Sequence, residues 1–410
     1  MTVAASRPAR GLRTAVVAAA VLLTGFLVAP ADSRAARGME LAIQDDSLFV
    51  QGHKRFEGDR AFDYARALGV SRIRVNLLWA YTMPESQYNA RRKPGTVNYN
   101  FTQIDQLIDR AAANGMRVHL SLTGPAPRWA NARRRLPTSN RAWYKPNARQ
   151  YGEFADVVAN HFRGRVDRYS IWNEPNYKTW LGPLKAAPRI YRSMYVRAYR
   201  AIKKADRHAQ VLIGETSPYS RRGRATSPLA FLRKVTCVNR RYRRVRRCAR
   251  LKADGYAHHP YDFTHTPRFQ FRGSDNVTIG TLSRLTRALD RLRRSGALRR
   301  TRRGRMPVYL TEYGYFASGR RAVSPRKRSR YLKQAYSIAL RNRRVKSQLQ
   351  YLLLVLPRRS QSTFNTGLVS RSGRRLPQYR ALRSWYRANR RRVKRPRPFT
   401  LPPAPPNPSR

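Results

Sequence analysis

Acid is what this chain has least of. Against 86 Lys and Arg it carries 21 Asp and Glu, for a formal net charge of +65. Such a field attracts any polyanion, whether nucleic acid, anionic lipid, teichoic acid or acidic polysaccharide. It speaks to association rather than to chemistry, and the solvated basic surface of an arginine-rich proteome reads equally well. The arginines are spread along nearly the whole chain and no groove-reading motif appears, so no specific nucleic acid is expected as a partner. Electrostatic association with anionic cell-envelope polymers stays open.

Cysteine and long apolar runs are nearly absent too. Cys237 and Cys248 make a staple rather than a metal site, and in an oxidising compartment they are expected to close one local disulfide. The alternative, a reactive thiol, lacks a neighbouring histidine. His258 and His259 are adjacent, and no further ligand cluster has workable spacing, so neither a metal nor a cofactor is expected. The one apolar run, residues 15–29, is short for a membrane span. It follows Arg7, Arg10 and Arg13 and ends at the small residues Ala29-Pro30-Ala31. This predicts a signal peptide over residues 1–36, against an uncleaved anchor, and a secreted, monomeric mature protein without a transmembrane anchor.

What is present is ample core material: 410 residues, 41% of them hydrophobic. Length alone does not choose between one large domain and two smaller ones. Short apolar runs alternate with segments of helical periodicity, the pattern of βαβ units on a parallel sheet. The strand segments are 41–44, 72–78, 117–122, 168–172, 211–215, 255–258, 308–311 and 349–356. Between them, Phe101, Ile104, Leu107, Ile108 and Ala111 share one helical face, with Asn100 as cap and Gly115 beyond the end. Ser324-Pro325 opens a helix carrying Tyr331, Leu332, Ala335, Ile338 and Leu340. Eight strands with helices between them predict an α/β fold, a (β/α)8 TIM barrel, as a single domain over residues 37–388. Residues 389–410, basic and then proline-rich, are expected to form an extended tail outside the core.

In an acid-poor chain the placement of each glutamate carries information. Ile171-Trp172-Asn173-Glu174-Pro175-Asn176 and Tyr309-Leu310-Thr311-Glu312-Tyr313-Gly314-Tyr315 each put a glutamate where an apolar strand stops. In a parallel barrel that is the face where active sites assemble. Two converging carboxylates are the minimum equipment for cleaving a glycosidic bond, one donating a proton to the leaving oxygen and the other supporting the oxocarbenium-like centre.

These words resemble glycoside hydrolase clan A, the group that includes cellulases, mannanases and β-xylosidases, in a secreted, actinobacterial-type form. The resemblance extends less sharply over most of residues 39–386. It implies that Glu174, at the end of strand four, is the acid/base, that Glu312, at the end of strand seven, is the nucleophile, and that Asn173 holds the sugar 2-hydroxyl. Arg74, in Arg72-Ile73-Arg74-Val75-Asn76, looks like the clan's strand-two arginine, whose charge would keep the nucleophile ionised; a helix-facing salt bridge is the other reading. His258-His259-Pro260-Tyr261 resembles the clan's His-x-Tyr element. That favours His259 beside the sugar and Tyr261 bonded to the nucleophile, unless His258 is the residue turned inward.

Sugar rings stack on aromatic planes, so Trp79, Trp129 and Trp180, each following a strand end, are candidate carbohydrate platforms, though core positions suit them equally. Many clan members place a tryptophan after strand eight, where this chain reads Tyr351-Leu352-Leu353-Leu354-Val355-Leu356-Pro357. The expected function is therefore a retaining β-glycosidase acting on a carbohydrate substrate. The competing reading is a non-catalytic polysaccharide- or envelope-binding barrel, which would dispense with the acid pair. If the leader is processed as expected, N-terminal sequencing of extracellular protein finds a start within or just beyond residues 31–36; finding Met1 would overturn the export reading.

Overall fold

In a computed structural model of the chain, residues 38–56, 59–132, 143–245, 248–319, 321–357 and 364–410 are described. The expected signal peptide lies outside the described residues, and among these no helix is long and apolar enough to cross a membrane. Eight parallel strands run β1 (Glu40–Gln44), β2 (Arg72–Leu78), β3 (Arg117–Thr123), β4 (Arg168–Ile171), β5 (Gln210–Thr216), β6 (Gly255–His258), β7 (Val308–Leu310) and β8 (Val345–Tyr351). They close into a barrel in sequence order, the seam being β1 against β8 with Glu40 opposite Ser347 and Gln44 opposite Tyr351.

Among the described residues a helix of at least eight residues follows each strand: α1 (Arg60–Ala67), α2 (Thr102–Ala113), α3 (Ala148–His161), α4 (Ala187–Ala205), α5 (Pro228–Val235), α6 (Leu282–Arg294), α7 (Pro325–Arg341) and α8 (Pro377–Asn389). The predicted (β/α)8 architecture is therefore the observed one. A separate pair of short strands, Leu251–Ala253 and Leu298–Arg300, lies beside the barrel.

Local chemistry accounts for the element boundaries. Helix α2 buries Ile104, Leu107, Ile108 and Ala111, the stripe that faces the barrel, and Asn100 Oδ1 accepts from Thr102 N at 3.0 Å at its start. Helix α7 starts at Pro325, whose missing N–H costs nothing at a first helical position. The strands are buried on both faces, as parallel strands clothed by helices must be. Along β2, Arg72 and Arg74 point inward on alternate positions. Arg72 meets Glu40 at 3.0 Å and Asp167 at 2.6 Å at one end of the barrel, and Arg168 also reaches Glu40.

Two expectations need correction. Strand eight runs over residues 345–351, not 349–356. The apolar run at 351–356 looked like the strand, whereas the true one carries Gln348 and Gln350, both buried on the face opposite to the one that Ser347 and Leu349 share with Glu40 and Ala42 inside the barrel. Leu352, at φ 61°, turns the chain out of the sheet, and Asp45 Oδ2 accepts from the Leu353 and Leu354 N–H groups at 3.1 and 2.9 Å.

The C-terminal segment is extended but is not outside the core. Lys394 N donates to Met39 O, Val393 is buried, Arg165 donates to Pro402 O at 2.8 Å, and Tyr99 N donates to Pro408 O. Its prolines lack donors yet keep their carbonyl acceptors, so a segment that reads as a free tail can be strapped down by donors elsewhere.

The strap crosses Gly115, which has φ +75°; a Cβ there would lie 2.4 Å from Arg397 N. Gly115→Ala should therefore cost at least the roughly 1–2 kcal/mol of a left-handed non-glycine residue, and it should expose Arg390–Arg397 to trypsin. An unchanged urea midpoint together with an unchanged cleavage pattern would show that the strap is not held there.

Candidate active site

The site forms where β4 to β8 end. After Ile171 the backbone turns sharply, with Trp172 at φ 60° and Glu174 at φ 37°, left-handed values that disfavour side-chain-bearing residues. The turn is held by Trp172 N to Leu122 O at 2.8 Å, Asn173 N to Thr123 Oγ1 at 3.0 Å, and the Trp172 indole N–H to Trp180 O at 2.7 Å. Locked in this way, Glu174 projects into the mouth and stays partly open to solvent, while Glu312, after β7, is buried.

Arg74 and His259 tie the carboxylates together. Arg74 has no exposed surface and donates to Glu312 Oε1 at 3.0 Å, Glu215 Oε2 at 3.1 Å, Asn173 Oδ1 at 2.9 Å and Ser121 Oγ at 3.3 Å, as well as to Gln44. The reading of Arg74 as a helix-facing salt bridge is thereby excluded. His259 is equally buried. Its Nε2 lies 2.7 Å from Glu215 Oε2, and its Nδ1 lies 3.1 Å from Glu174 Oε1 and 3.6 Å from Glu312 Oε2. Tyr261 donates its hydroxyl to Glu312 Oε2 at 3.1 Å. His258 instead packs into the wall, between Thr216 Oγ1 at 2.9 Å and Val277 O at 3.0 Å, and burial lowers its pKa to about 3. Among the described residues no cluster of His, Cys, Asp and Glu is arranged to hold a metal ion.

Glu215 is the residue to which sequence reasoning gave no role. It ends β5 at φ 49°, has no exposed surface, and accepts from Arg74, His259 and Thr311 Oγ1, the last at 2.8 Å. The signal was available, since Glu215 is a third glutamate at a strand end. Burial alone would raise its pKa, but Arg74 and His259 hold it well below the usual carboxylate range. Burial works against a charged His259, yet Glu312 and hydrogen bonds to Glu174 and Glu215 outweigh it and lift the ring to about 10. His259 is thus a buried cation.

The expectation that Arg74 keeps Glu312 ionised is only half met. The contacts are there, but burial pushes the Glu312 carboxyl above its usual range; His259 and Arg74 oppose that shift, while Glu174 and Glu215 add to it. Three carboxylates facing two cations leave one negative charge in excess, and a single proton brings the cluster to neutrality.

The tryptophans divide differently from the expectation. Trp79 and Trp129, 0% and 4% exposed, are core residues: they pack edge to face at 5.8 Å, and Trp79 stacks on Phe154. A ring without exposed surface cannot carry a sugar. Trp180 is partly exposed and meets Trp143 at 4.7 Å, but the cleft at Glu174 is walled instead by Tyr177, Tyr219, Tyr261, Phe263 and Phe364. After strand eight, where many clan members resembled by this chain carry a tryptophan, Tyr351 and Phe364 meet ring to ring at 6.1 Å.

Residues 35–339 match the family model described as cellulase (glycosyl hydrolase family 5). A family 39 glycoside hydrolase from the gut symbiont Bacteroides cellulosilyticus WH2 superposes with a TM-score of 0.58 at 19% identity, covering 85% of this chain and 63% of that one. A GH5_18 protein from Streptomyces cattleya, solved in complex with GlcNAc, superposes with a TM-score of 0.58 at 18% identity over 88% of this chain and 83% of that one. In sequence, beta-glucosidase 47 of Arabidopsis thaliana is 27% identical over 134 residues, 32% of this chain and 23% of that protein.

The charge on His259 can be read directly. Its pKa in the folded protein lies above the unfolded value, so its contribution to stability is complete below about pH 6.5 and is lost as pH rises toward about 10. Side-chain nitrogen NMR should show a doubly protonated His259 at pH 8, and in Glu215→Gln the ring should release its second proton at lower pH. A neutral ring at pH 8 in the unmodified protein would overturn this picture of the site.

Proposed function

The chain belongs to the cellulase family, glycosyl hydrolase family 5, and from that premise we propose a secreted retaining β-glycosidase that cleaves O-glycosidic bonds of an oligo- or polysaccharide by double displacement. One observation carries the mechanism. A single atom, His259 Nδ1, lies 3.1 Å from an oxygen of Glu174 and 3.6 Å from an oxygen of Glu312. The nearest oxygens of the pair are therefore no farther apart than those two distances end to end. Carboxylates brought this close to one atom suit the roughly 5–5.5 Å spacing of a retaining enzyme better than the roughly 6.5–9.5 Å that makes room for an attacking water in an inverting one.

Glu312 then acts as nucleophile. Arg74 and Tyr261 fix its two oxygens, one each, so that it meets the anomeric carbon in a set orientation. Glu174, in its protonated form, delivers its proton to the leaving oxygen as the C–O bond breaks and ionised Glu312 forms the glycosyl ester. The ionised Glu174 next takes a proton from water, which attacks the anomeric carbon from the side the leaving group vacated and releases Glu312. Two inversions give net retention. Asn173 Oδ1 accepts from Arg74, leaving its amide N–H groups to donate to a sugar hydroxyl. His259, against an oxygen of each carboxylate, and Glu215, against His259 and Arg74, serve to position the pair.

Export is supported by the basic, apolar, small-residue leader and by the Cys237–Cys248 disulfide, which suits an oxidising compartment. The basic exterior would keep the enzyme near anionic envelope polymers.

Against chromogenic aryl β-glycosides, Glu312→Ala should abolish turnover and regain part of it with added azide, giving a glycosyl azide of inverted configuration. Glu174→Ala should lose about 10²–10⁴-fold on substrates with poor leaving groups but keep the first step on those with very good ones. Proton NMR of the first product from the unmodified enzyme decides the stereochemistry; an inverted anomer would refute double displacement and both role assignments.

A further inference from the structure

The cleft beside Glu174 holds two cations that the proposed hydrolysis does not use. Arg221 and Arg321 line it together with Tyr177, Tyr219, Phe263 and Phe364. Arg221 sits on a turn closed by its own N–H to Ala225 O, and its guanidinium donates to Tyr219 Oη at 3.1 Å and lies 5.3 Å from that ring's centre. Arg321 stands 4.8 Å from the centre of Phe316 and 5.4 Å from that of Phe263. Rings held this way leave the guanidinium edge, with its forked N–H donors, available to a ligand.

These arginines are placed unlike their buried counterparts. Although acid is scarce, buried Arg72, Arg74, Arg165, Arg168 and Arg233 and half-buried Arg344 each face a carboxylate, with buried Arg328 the exception among the described residues. Among the described residues neither Arg221 nor Arg321 has an acidic partner within ion-pair distance other than what a ligand would bring. Both line the cleft together with Glu174, whose charge Arg221 feels. A cation next to a group that has to hold a proton is a disadvantage unless a second anion offsets it. A neutral sugar offers none, whereas a sugar carboxylate matches a guanidinium in both charge and two-pronged geometry.

We propose that the cleft takes an anionic glycan, a chain bearing uronic acid carboxylates, with Arg221 and Arg321 as the residues that select for the charge. The inference names the substrate class of the site and so rests on the glycosidase reading. Aromatic walls hold the sugar faces, the two guanidiniums take the carboxylates, and the bound carboxylate relieves the field at Glu174. Selectivity comes from position rather than from total charge, since the whole exterior is basic.

The test pairs β-1,4-linked tri-glucuronate with cellotriose, which differ in whether C6 is a carboxylate or a hydroxymethyl group. Binding is measured calorimetrically at about 0.15 M salt, where surface charges more than about 8 Å apart are largely screened. Three proteins are compared, each also carrying Glu312→Ala so that the ligands are not cleaved: the otherwise unmodified enzyme, Arg221→Gln/Arg321→Gln, and Arg197→Gln/Arg200→Gln, which removes the same charge from the exposed face of α4. The expected result is a margin of at least tenfold in favour of the tri-glucuronate, lost in the cleft variant and kept in the α4 variant. A margin absent from the unmodified enzyme, retained in the cleft variant, or lost equally in both variants overturns the proposal. Because binding is read without turnover, that failure is distinct from failure of the glycosidase reading, which would show as no hydrolysis of any neutral or acidic aryl β-glycoside.

Discussion

The Arg74 guanidinium sits inside the barrel with no exposed surface and bonds to Gln44 on β1, Ser121 on β3, Glu215 on β5 and the residues just past β4 and β7, Asn173 and Glu312. Burying a lone cation costs several kcal/mol after relaxation, and removing one partner of a buried pair typically costs about 3–5 kcal/mol. The ends of five strands are therefore committed to satisfying one charge, and the positions of both mouth carboxylates follow from that commitment. Glu312 is aimed by its bond to Arg74. Glu174 is aimed by the turn it sits on and by His259, whose own charge is sustained by Glu215, a second partner of Arg74. Had the barrel been lined with aliphatic residues, its stability would not have suffered, but nothing would have fixed the distance between the two carboxylates.

The same logic explains why an acid-poor protein spends its acids where it does. At the lower end of the barrel Glu40 and Asp167 neutralise Arg72 and Arg168; at the upper end Glu215 and Glu312 neutralise Arg74 and His259. Exposed arginines need no counter-ion, because water and salt screen them, so the excess charge can accumulate on the surface. The interior cannot tolerate it. The left-handed backbone at Glu174 and at Glu215 belongs to the same economy, since each is strained by about 1–2 kcal/mol, and the hydrogen bonds that over-determine the site hold both residues there.

Much of this was legible in the sequence because the barrel's rules are rules of period and position. Eight strand segments and the glutamates that end the fourth and seventh can be read from alternation and from the rarity of acid. Glu215 obeys the same strand-end rule, but no recognisable word surrounds it, and only the register that brings Gly214 beside Ala257 and Thr216 beside His258 reveals its partners. Strand eight was misplaced because hydrophobicity marks a buried strand only where its surroundings are apolar, and here polar Gln348 and Gln350 are buried within the strand. The C-terminal segment was misread because proline removes donors and leaves acceptors, so the bonds that hold it originate in residues such as Arg165 and Tyr99, remote in sequence.

Aromatic residues were the least legible, for a reason that bears on substrate choice. A ring after a strand can turn inward to fill space between barrel and helices, as Trp79 does against Phe154 and Tyr151, or outward to meet a ligand, and composition does not distinguish the two. That choice is made by loops. Here the loops after β5, β6, β7 and β8 bring Tyr219, Phe263, Phe316 and Phe364 together, with Phe364 meeting Tyr261, Phe263 and Phe316 edge to face at 5.2 to 5.3 Å. Phenylalanine rings assembled edge to face leave some faces free and offer no indole N–H, so they contribute contact area without a directional bond. Orientation of the bound sugar must then come from charged and polar groups at the cleft edge. The chemistry at Arg74, Glu174 and Glu312 is consequently separable from recognition: the barrel fixes the reaction, and the loop-borne rings and arginines fix which chain is presented to it.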